Sequence, residues 1–109
     1  MRFTESLGKN KNFQIVYKKG RSKANRLLVM YVLDNHTDHN RIGISVSKKV
    51  GNSVIRHRVT RLIRESYRLH EDSFPCGNDI VLIARAAARD ANYHAIESAL
   101  LHLLKRQSD

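Results

Sequence analysis

Hydrophobic residues change their spacing several times along this chain, and each change marks a predicted element. Residues 27–33 (LLVMYVL) are apolar at every position, which predicts a strand covered on both faces, with Tyr31 on one of them. Residues 41–47 alternate between apolar and small or polar side chains, which predicts a half-buried strand. The turn-rich residues 34–40 join the two strands, so we expect a hairpin. A short apolar run at residues 80–84 predicts another strand.

Three other segments have helical spacing. Residues 11–19 place Phe13 and Tyr17 on one face, and Gly20 can end this helix. A second helix is predicted to run to about His70, and a third to about Arg106. The candidate N-cap residues are Asn10 for the first helix, Asn52 or Ser53 for the second, and Asp90 or Asn92 for the third.

The order of these elements predicts the fold class. Residues 1–9 are predicted to form only a polar, basic lead-in, and residues 20–26 a short edge strand or an irregular segment. The 109 residues fit a single domain, residues 1–109. The order α-β-β-β-α-β-α predicts an α+β fold, an α-β sandwich with three helices and a sheet of about four strands. Strand 41–47, the second helix and strand 80–84 form a strand–helix–strand crossover.

Positive charge is concentrated on the second helix. Residues 48–68 hold seven of the chain's twenty Lys and Arg residues but only one acidic residue, Glu65. The apolar stripe of this helix consists of Ile55, Val59, Leu62, Ile63 and Leu69. The opposite side carries His57, Arg61, Arg64 and Arg68, with Arg56 and Arg58 flanking the two faces. A solvated face normally mixes charges of both signs, so five arginines with one carboxylate favour an external polyanion, with nucleic acid as the leading candidate.

The overall composition supports an anionic partner. The net charge is +10, and a hydrophobic content of 41% is enough for a folded core. Binding to a membrane surface is a weaker alternative, because the apolar stripe would have to be free for lipid. We expect no membrane partner, since no apolar run approaches the length of a span and no signal-peptide segment is present at the N-terminus. The single cysteine, Cys76, fits a reducing compartment, so we expect a cytoplasmic protein.

Two aromatic residues of the first helix are open to two interpretations. Phe13 and Tyr17 lie between lysines in the sequence. Aromatic side chains among cations suit stacking on unpaired bases. The same helix face can also pack into the core, and the spacing leaves both alternatives open.

Catalytic and metal-binding patterns are weak by comparison. His36 and His39 lie in a turn without a neighbouring cysteine or an H-x-x-x-H helix. No second histidine shares the face of His57, as a histidine-based ribonuclease would require. The ten acidic residues are scattered, whereas metal-dependent nucleases need clustered carboxylates. We therefore expect a binding surface with no catalytic residue and no metal or cofactor held by the protein.

The segment RIGISVSKKVGNSVIRHRVTRLIRESYR closely resembles the protein subunit of bacterial ribonuclease P, and the resemblance covers nearly the whole chain. The arginine-rich helix after S-x-K-K-x-G-N corresponds to the RNR motif of that family. Further matches are NFQIVYKKG, ANR at residues 24–26 and DIVLIAR at residues 79–85. The resemblance implies an α-β sandwich whose strand–helix–strand crossover is left-handed, which is rare among such units.

The resemblance also implies a function. The protein is expected to be a subunit of a ribonucleoprotein endoribonuclease in which RNA is the catalyst, so the protein alone does not cleave. Its implied partners are ribonuclease P RNA, in a 1:1 protein–RNA heterodimer, and precursor tRNA, whose 5′ leader is removed to give the mature 5′ end. Mg²⁺ is implied as a requirement of the holoenzyme, held through the RNA.

The site residues implied by the resemblance form two groups. The expected RNA-binding residues on and before the second helix are Arg56, His57, Arg58, Arg61, Arg64, Arg68, Lys48, Lys49 and Asn52. The expected cleft for the single-stranded 5′ leader is lined by Phe13, Tyr17 and Tyr31. His57 stands where the family usually has Asn, and Thr60, where Lys is frequent, is given no role.

Two other classes of function compete with this one. A ribosomal or general RNA-binding protein explains the charge but not the motif spacing, and it predicts no preference for a leader. An autonomous nuclease that uses His57 predicts RNA cleavage by the protein without an RNA partner.

Overall fold

The computed structural model describes residues 3–108, which form an α+β sandwich of one sheet and three helices. The strands are β1 (Thr4–Ser6), β2 (Arg21–Ala24), β3 (Leu28–Asp34), β4 (Asn40–Ser45) and β5 (Asn78–Ala84). The helices are α1 (Asn10–Lys19), α2 (Ser53–Leu69) and α3 (Tyr93–Arg106). Two short 3₁₀ segments, Glu71–Ser73 and Ala86–Asp90, lie on either side of β5. The predicted fold class is confirmed.

The sheet has the strand order β1-β4-β5-β3-β2. β5 runs antiparallel to β3 and parallel to β4, so β4, α2 and β5 form the predicted crossover between neighbouring strands. β2 is an edge strand, as predicted, and pairs antiparallel with β3. The fifth strand is β1, which pairs in parallel with β4 and lies in the segment predicted to be only a lead-in. Its three residues, TES, have no apolar alternation that could have revealed it.

The predicted hairpin between β3 and β4 is wrong, because β5 lies between the two strands. Ile80, Val81 and Leu82 are all buried, so consecutive residues of β5 are covered on both faces of the sheet. A strand of this kind belongs in the centre of a sheet rather than at its edge. The short β3–β4 connection therefore crosses over the end of β5.

Helices α2 and α3 cover one face of the sheet and form the larger core. Ile63 and Tyr67 of α2 and Leu100 of α3 are fully buried there. The side chains of Asn52 and Asn92 cap the two helices by accepting hydrogen bonds from the amides of Ile55 and Ala95. The apolar stripe of α2 differs from the prediction at its end, where Leu69 is 55% exposed and the buried positions are Ser66 and Tyr67.

The other face of the sheet is covered by α1 alone. Its fully buried residues are Leu7, Val16 and Val81. The side chains packed around them are only partly buried: Phe13, Tyr17, Tyr31, Leu33 and Ile83. The predicted cap at Asn10 is wrong, since Lys9 occupies the N-cap position without a side-chain hydrogen bond. The predicted stop at Gly20 is confirmed by its amide, which donates to the carbonyl of Val16.

Candidate nucleic-acid interface

The entrance to α2 presents two lysines beside a capped helix terminus. Lys48 and Lys49 are exposed in the turn after β4, and the buried Val50 anchors this turn to the core. The Oδ1 atom of Asn52 accepts a hydrogen bond from the amide of Ile55 at 3.0 Å. Asn52 therefore stabilises the first turn of α2, while the two lysines remain available to an anion.

Three predicted residues on the outer side of α2 have side chains without a partner among residues 3–108. His57, Arg61 and Arg64 are exposed, and none of their side chains makes a hydrogen bond or ion pair with any residue in that range. Guanidinium groups of this kind carry five donors each and pair well with phosphate oxygens. Arg61 and Arg64 form the free cationic row of the helix, and the exposed imidazole of His57 lies on the same side.

Arg58 and Arg68 are already engaged by the protein itself. Arg58 donates from Nη2 to the carbonyl of Arg89 at 2.6 Å and from Nη1 to the carbonyl of Ala91 at 3.1 Å. It thereby joins α2 to the segment that leads into α3. Arg68 donates from Nη2 and Nε to the carboxylate of Glu65 at 2.6 and 3.1 Å, and these hydrogen bonds lower the pKa of Glu65. Helical periodicity placed both arginines on charged or flanking positions but did not reveal these partners.

The side chain of Arg56 extends from α2 toward the end of β4, beside Ile44 and Val46. It is half-buried, and its Nε atom is buried without a hydrogen-bond partner among the described residues. The hydroxyl of Thr60 donates to the carbonyl of Arg56 at 2.8 Å, which satisfies this hydroxyl within the helix. Thr60 therefore contributes no free donor here, whereas Arg56 retains its own.

A groove of about 350 Å³ separates α2 from the end of β4. We call it the helix groove, and it is lined by Ile44, Val46, Ser53, Arg56, His57, Thr60, Arg61 and Arg64. A second groove, of about 260 Å³, continues toward α1. We call it the edge groove, and it is lined by Thr4, Glu5, Ser6, Gly8, Phe13, Ile42, Gly43, Ile44 and Arg64. Because Ile44 and Arg64 line both, one continuous path leads from the cationic row to Phe13.

The length of β1 explains why this path is open. β1 pairs with β4 only as far as Ile42, whose carbonyl accepts the amide of Leu7 at 2.8 Å. Beyond Ile42, no described strand covers the outer edge of β4. The uncovered edge at Gly43 and Ile44 therefore lies between the basic helix and the aromatic residues of α1.

The three predicted aromatic residues lie together on the α1 face of the sheet. The ring centroids of Phe13 and Tyr17 are 6.4 Å apart, and those of Tyr17 and Tyr31 are 5.2 Å apart, both with edge-to-face geometry. Each side chain is half-buried, so it packs against the small core under α1 and also reaches the surface. The two interpretations of Phe13 and Tyr17 are therefore compatible. Such rings can support bases that have left a helical stack.

Gly43 is a residue of this site that the sequence analysis did not identify. A Cβ atom at this position would lie 2.7 Å from Cε2 of Phe13 and closer still to Cζ. The phenyl ring therefore rests directly on the bare backbone of β4. The available sequence signal was the alternation of residues 41–47, which places Gly43 on the opposite side from Ile42 and Ile44.

An ion pair with a buried carboxylate lies on the same face of the sheet, and the sequence analysis did not identify it either. Arg41 and Asp79 are directly opposite each other on β4 and β5, and Nε of Arg41 donates to Oδ1 of Asp79 at 2.8 Å. Asn35 donates to the same oxygen at 3.0 Å. Burial alone would raise the pKa of Asp79, but the hydrogen bonds from Arg41 and Asn35 outweigh it and hold this pKa below its ordinary value. The pair ties the β3–β4 connection to the sheet.

The arrangement can bind a single-stranded polyanion that carries bases. Free cations lie at one end of the path and aromatic rings at the other, joined by an uncovered strand edge. Within residues 3–108, no three His, Cys, Asp or Glu side chains are grouped as potential metal ligands. None of the described helices combines the length and apolar composition that crossing a membrane requires.

Comparisons with known proteins give a consistent result. The family model described as Ribonuclease P matches residues 1–108. The ribonuclease P protein component of Alkaliphilus metalliredigens is 53% identical over 106 residues, covering 97% of this chain and 96% of the relative. The Staphylococcus aureus RNase P protein structure has a TM-score of 0.85 at 43% identity, covering 96% of this chain and 94% of that one. The Thermotoga maritima RNase P protein has a TM-score of 0.86 at 32% identity, with coverages of 94% and 96%.

Proposed function

Because the chain belongs to the family of bacterial ribonuclease P protein components, we propose that it grips both the catalytic RNA and the 5′ leader of precursor tRNA. As a ribonuclease P subunit it acts in the 5′ processing of tRNA, with ribonuclease P RNA as its partner. The observation that carries the proposal is the continuous path from the cationic row of α2, through Arg64 and Ile44, to Phe13.

The free cations of α2 bind RNA phosphates in this proposal. Arg56, Arg61 and Arg64, together with Lys48 and Lys49, release counterions from the RNA when they neutralise its backbone. His57 adds an exposed imidazole that can donate or accept a hydrogen bond. Three residues of the same predicted set mainly stabilise the folded structure around the interface, through the hydrogen bonds described above: Asn52, Arg58 and Arg68.

The leader occupies the edge groove. A single strand passing over the uncovered edge of β4 brings its phosphates near Arg64 and its bases near Phe13. Tyr17 and Tyr31 extend the aromatic surface beyond that point. Stacking on such rings tolerates different bases, which suits leaders of varied sequence.

Cleavage itself belongs to the RNA in this proposal, with Mg²⁺ held by RNA and substrate. The protein contributes charge neutralisation and positioning of the leader, which lowers the Mg²⁺ needed for activity. We also propose a 1:1 protein–RNA heterodimer in the cytoplasm. Sedimentation of the reconstituted particle at several protein-to-RNA ratios measures this stoichiometry, and saturation at two proteins per RNA would contradict it.

The first test is cleavage of precursor tRNA at low Mg²⁺ by a bacterial ribonuclease P RNA, with and without this protein. We expect strong stimulation by the protein and no cleavage by the protein alone. Tight RNA binding without stimulation would favour a general RNA-binding protein. Cleavage by protein that is free of nucleic acid would favour an autonomous nuclease.

The second test measures the leader directly. Phe13→Ala and Tyr17→Ala are expected to weaken holoenzyme binding of leader-bearing precursor more than binding of mature tRNA, by roughly 5- to 150-fold if each ring stacks on one base. Phe3→Ala is the matched control, because Phe3 is an exposed aromatic residue that lines neither groove. Equal losses for precursor and mature tRNA would contradict the assignment of the leader to this groove.

A further inference from the structure

A third groove opens from the cationic row on the other side of α2, toward the start of α3. Its volume is about 360 Å³, and it is lined by Arg61, Leu62, Arg64, Glu65 and Tyr93. We call it the seam groove, because it follows the seam between α2 and α3. Arg61 also lines the helix groove, and Arg64 also lines both the helix groove and the edge groove. Arg64 therefore lies where the three grooves meet, and Arg61 borders two of them.

The aromatic residue of this groove is held in place by a chain of hydrogen bonds. The hydroxyl of Tyr93 donates to Oε2 of Glu97 at 3.2 Å, and Nε2 of His70 lies 2.8 Å from the same oxygen. The ring of Tyr93 is half-buried and meets the ring of His94 edge-to-face at 5.9 Å. Burial and the nearby Glu97 raise the pKa of Tyr93, so its hydroxyl remains a neutral donor. Tyr93 is a fixed ring beside two free cations.

The free charge of the seam groove is positive. Its one acidic residue, Glu65, is neutralised by two hydrogen bonds from Arg68. Arg61 and Arg64 have no such partner among the described residues. Two unpaired guanidinium groups beside an aromatic ring and the apolar Leu62 match the chemistry of a nucleotide, which combines a phosphate with a flat base. The volume admits a small ligand rather than a duplex.

We propose that the seam groove binds one unpaired nucleotide of ribonuclease P RNA, with its base on Tyr93 and its phosphate at Arg61 and Arg64. This inference rests on the proposed function of the protein. The leader path runs from Arg64 in the direction of Phe13, whereas the seam groove runs from Arg64 toward α3. A single leader strand that follows the aromatic residues of α1 leaves the seam groove to the other RNA of the particle. Tyr93 thus extends the RNA interface from α2 to the start of α3.

The test compares three variants of the full-length protein: Tyr93→Ala, Tyr93→Leu and Tyr93→Phe. Binding to ribonuclease P RNA alone is measured as a function of salt, and thermal unfolding of each free variant is recorded. We expect Ala and Leu to weaken binding by roughly 5- to 150-fold without changing the salt slope, because a stacked base is lost but no charge is removed. Phe keeps the ring and is expected to bind within about twofold of the wild type, a loss much smaller than that of one stacked base.

Each outcome distinguishes this proposal from its competitors. Wild-type affinity in Tyr93→Leu would overturn it, and an equal loss in Tyr93→Phe would show that only the hydrogen bond to Glu97 matters. Holoenzyme binding of leader-bearing precursor and of mature tRNA is measured for the same variants, and a loss confined to the precursor would overturn the proposal by assigning the nucleotide to the leader. Unchanged RNA affinity with altered self-association would make the groove a contact between copies of the protein. Stimulation of cleavage by the wild-type protein reports separately on the proposed function, so a failure of this inference is distinguishable from a failure of that function.

Discussion

The two faces of the sheet are built differently. The face under α2 and α3 has a continuous buried core that includes Ile63, Tyr67 and Leu100. The face under α1 has a much smaller buried core, surrounded by aromatic side chains that remain half-exposed. One helix is too narrow to cover five strands, so part of this second face stays accessible.

Under the proposed function, this difference separates stability from leader binding. Close packing between the sheet and helices α2 and α3 makes most changes in that core costly, and the grooves bordered by α2 lie outside this core. On the α1 face, rings that are already partly desolvated and fixed by their neighbours can accept a base with little further ordering. We therefore expect substitutions of buried residues under α2 and α3 to act on unfolding, and substitutions of the half-exposed rings under α1 to act on the preference for a leader.

The largest expected effect lies on the densely packed face. Leu100→Ala is expected to lower the free energy of unfolding by about 2–5 kcal/mol, because it leaves a cavity at a fully buried position. Urea denaturation measures this loss. The folded fraction of the variant should keep the wild-type ratio of precursor to mature tRNA affinity. A changed ratio in the folded protein would break the separation of the two faces.

The Arg41–Asp79 ion pair provides the second test, since it stabilises the sparsely covered face by polar contacts. Arg41→Ala removes hydrogen bonds to a carboxylate whose side chain is only 6% exposed, so we expect a loss of about 1.5–3 kcal/mol. Denaturation at neutral pH measures it. A loss below the error of the experiment would mean that apolar packing alone holds this face.

The same pair predicts a pH dependence. The pKa of Asp79 is lower in the folded protein than in the unfolded chain, so its stabilising contribution is present above the unfolded value. That contribution is lost as the pH falls through the lower, folded pKa. We expect Asp79→Asn to be less stable than the wild type at neutral pH, with the difference shrinking in acid. A difference that stays constant down to the acid transition would contradict this origin.

Gly43→Ala sharpens the comparison at the point where Phe13 touches β4. The new methyl group must displace the ring, and overpacking of this kind costs about 1–3 kcal/mol. We expect the variant to lose leader preference, but by no more than Phe13→Ala does. In a double-mutant cycle, adding Gly43→Ala to Phe13→Ala should cause no further loss. Additive losses would show that Gly43 acts on the leader independently of the ring.

The smallest expected effect distinguishes the free from the engaged arginines of α2. Arg61→Ala is expected to reduce the salt slope of RNA binding by about one, as the loss of one phosphate contact does. Arg68→Ala is the matched control on the same helix side, and its slope should change less because Glu65 already neutralises it. Equal slope changes would mean that RNA displaces Glu65 from Arg68.

Local patterns predicted the elements better than their arrangement. The spacing of apolar residues located α2, α3 and the three longer strands, since each buries a continuous stripe or face. The five-residue connection between β3 and β4 has the length of a hairpin loop, so its length did not reveal that another strand separates them. Only the burial of residues 80–82 on both faces indicates that β5 lies between β3 and β4. β1 was missed because its pairing uses backbone groups and its side chains are mostly exposed.

The site was predictable to a similar degree. Periodicity put Arg61 and Arg64 on the outer side of α2, and the family resemblance assigned the three aromatic residues to a cleft. Nothing in the helix itself shows that Arg58 bonds to carbonyls about thirty residues later in the chain. The contact between Gly43 and Phe13 likewise depends on how α1 lies across β4, which a single sequence does not encode in its spacing.

The central position of β5 has a consequence for how the chain is made. β5 is the last strand in the sequence, yet it lies between β3 and β4 and pairs with both of them. During synthesis, the first four strands leave the ribosome before the strand that joins them, so the complete sheet forms only after residue 84 has emerged. The parallel β1–β4 pair and the β3–β5 pair close long loops, which slows folding. Until then, a highly cationic unfolded chain is exposed in a cell rich in RNA, and the nascent protein can meet its RNA partner before it has folded.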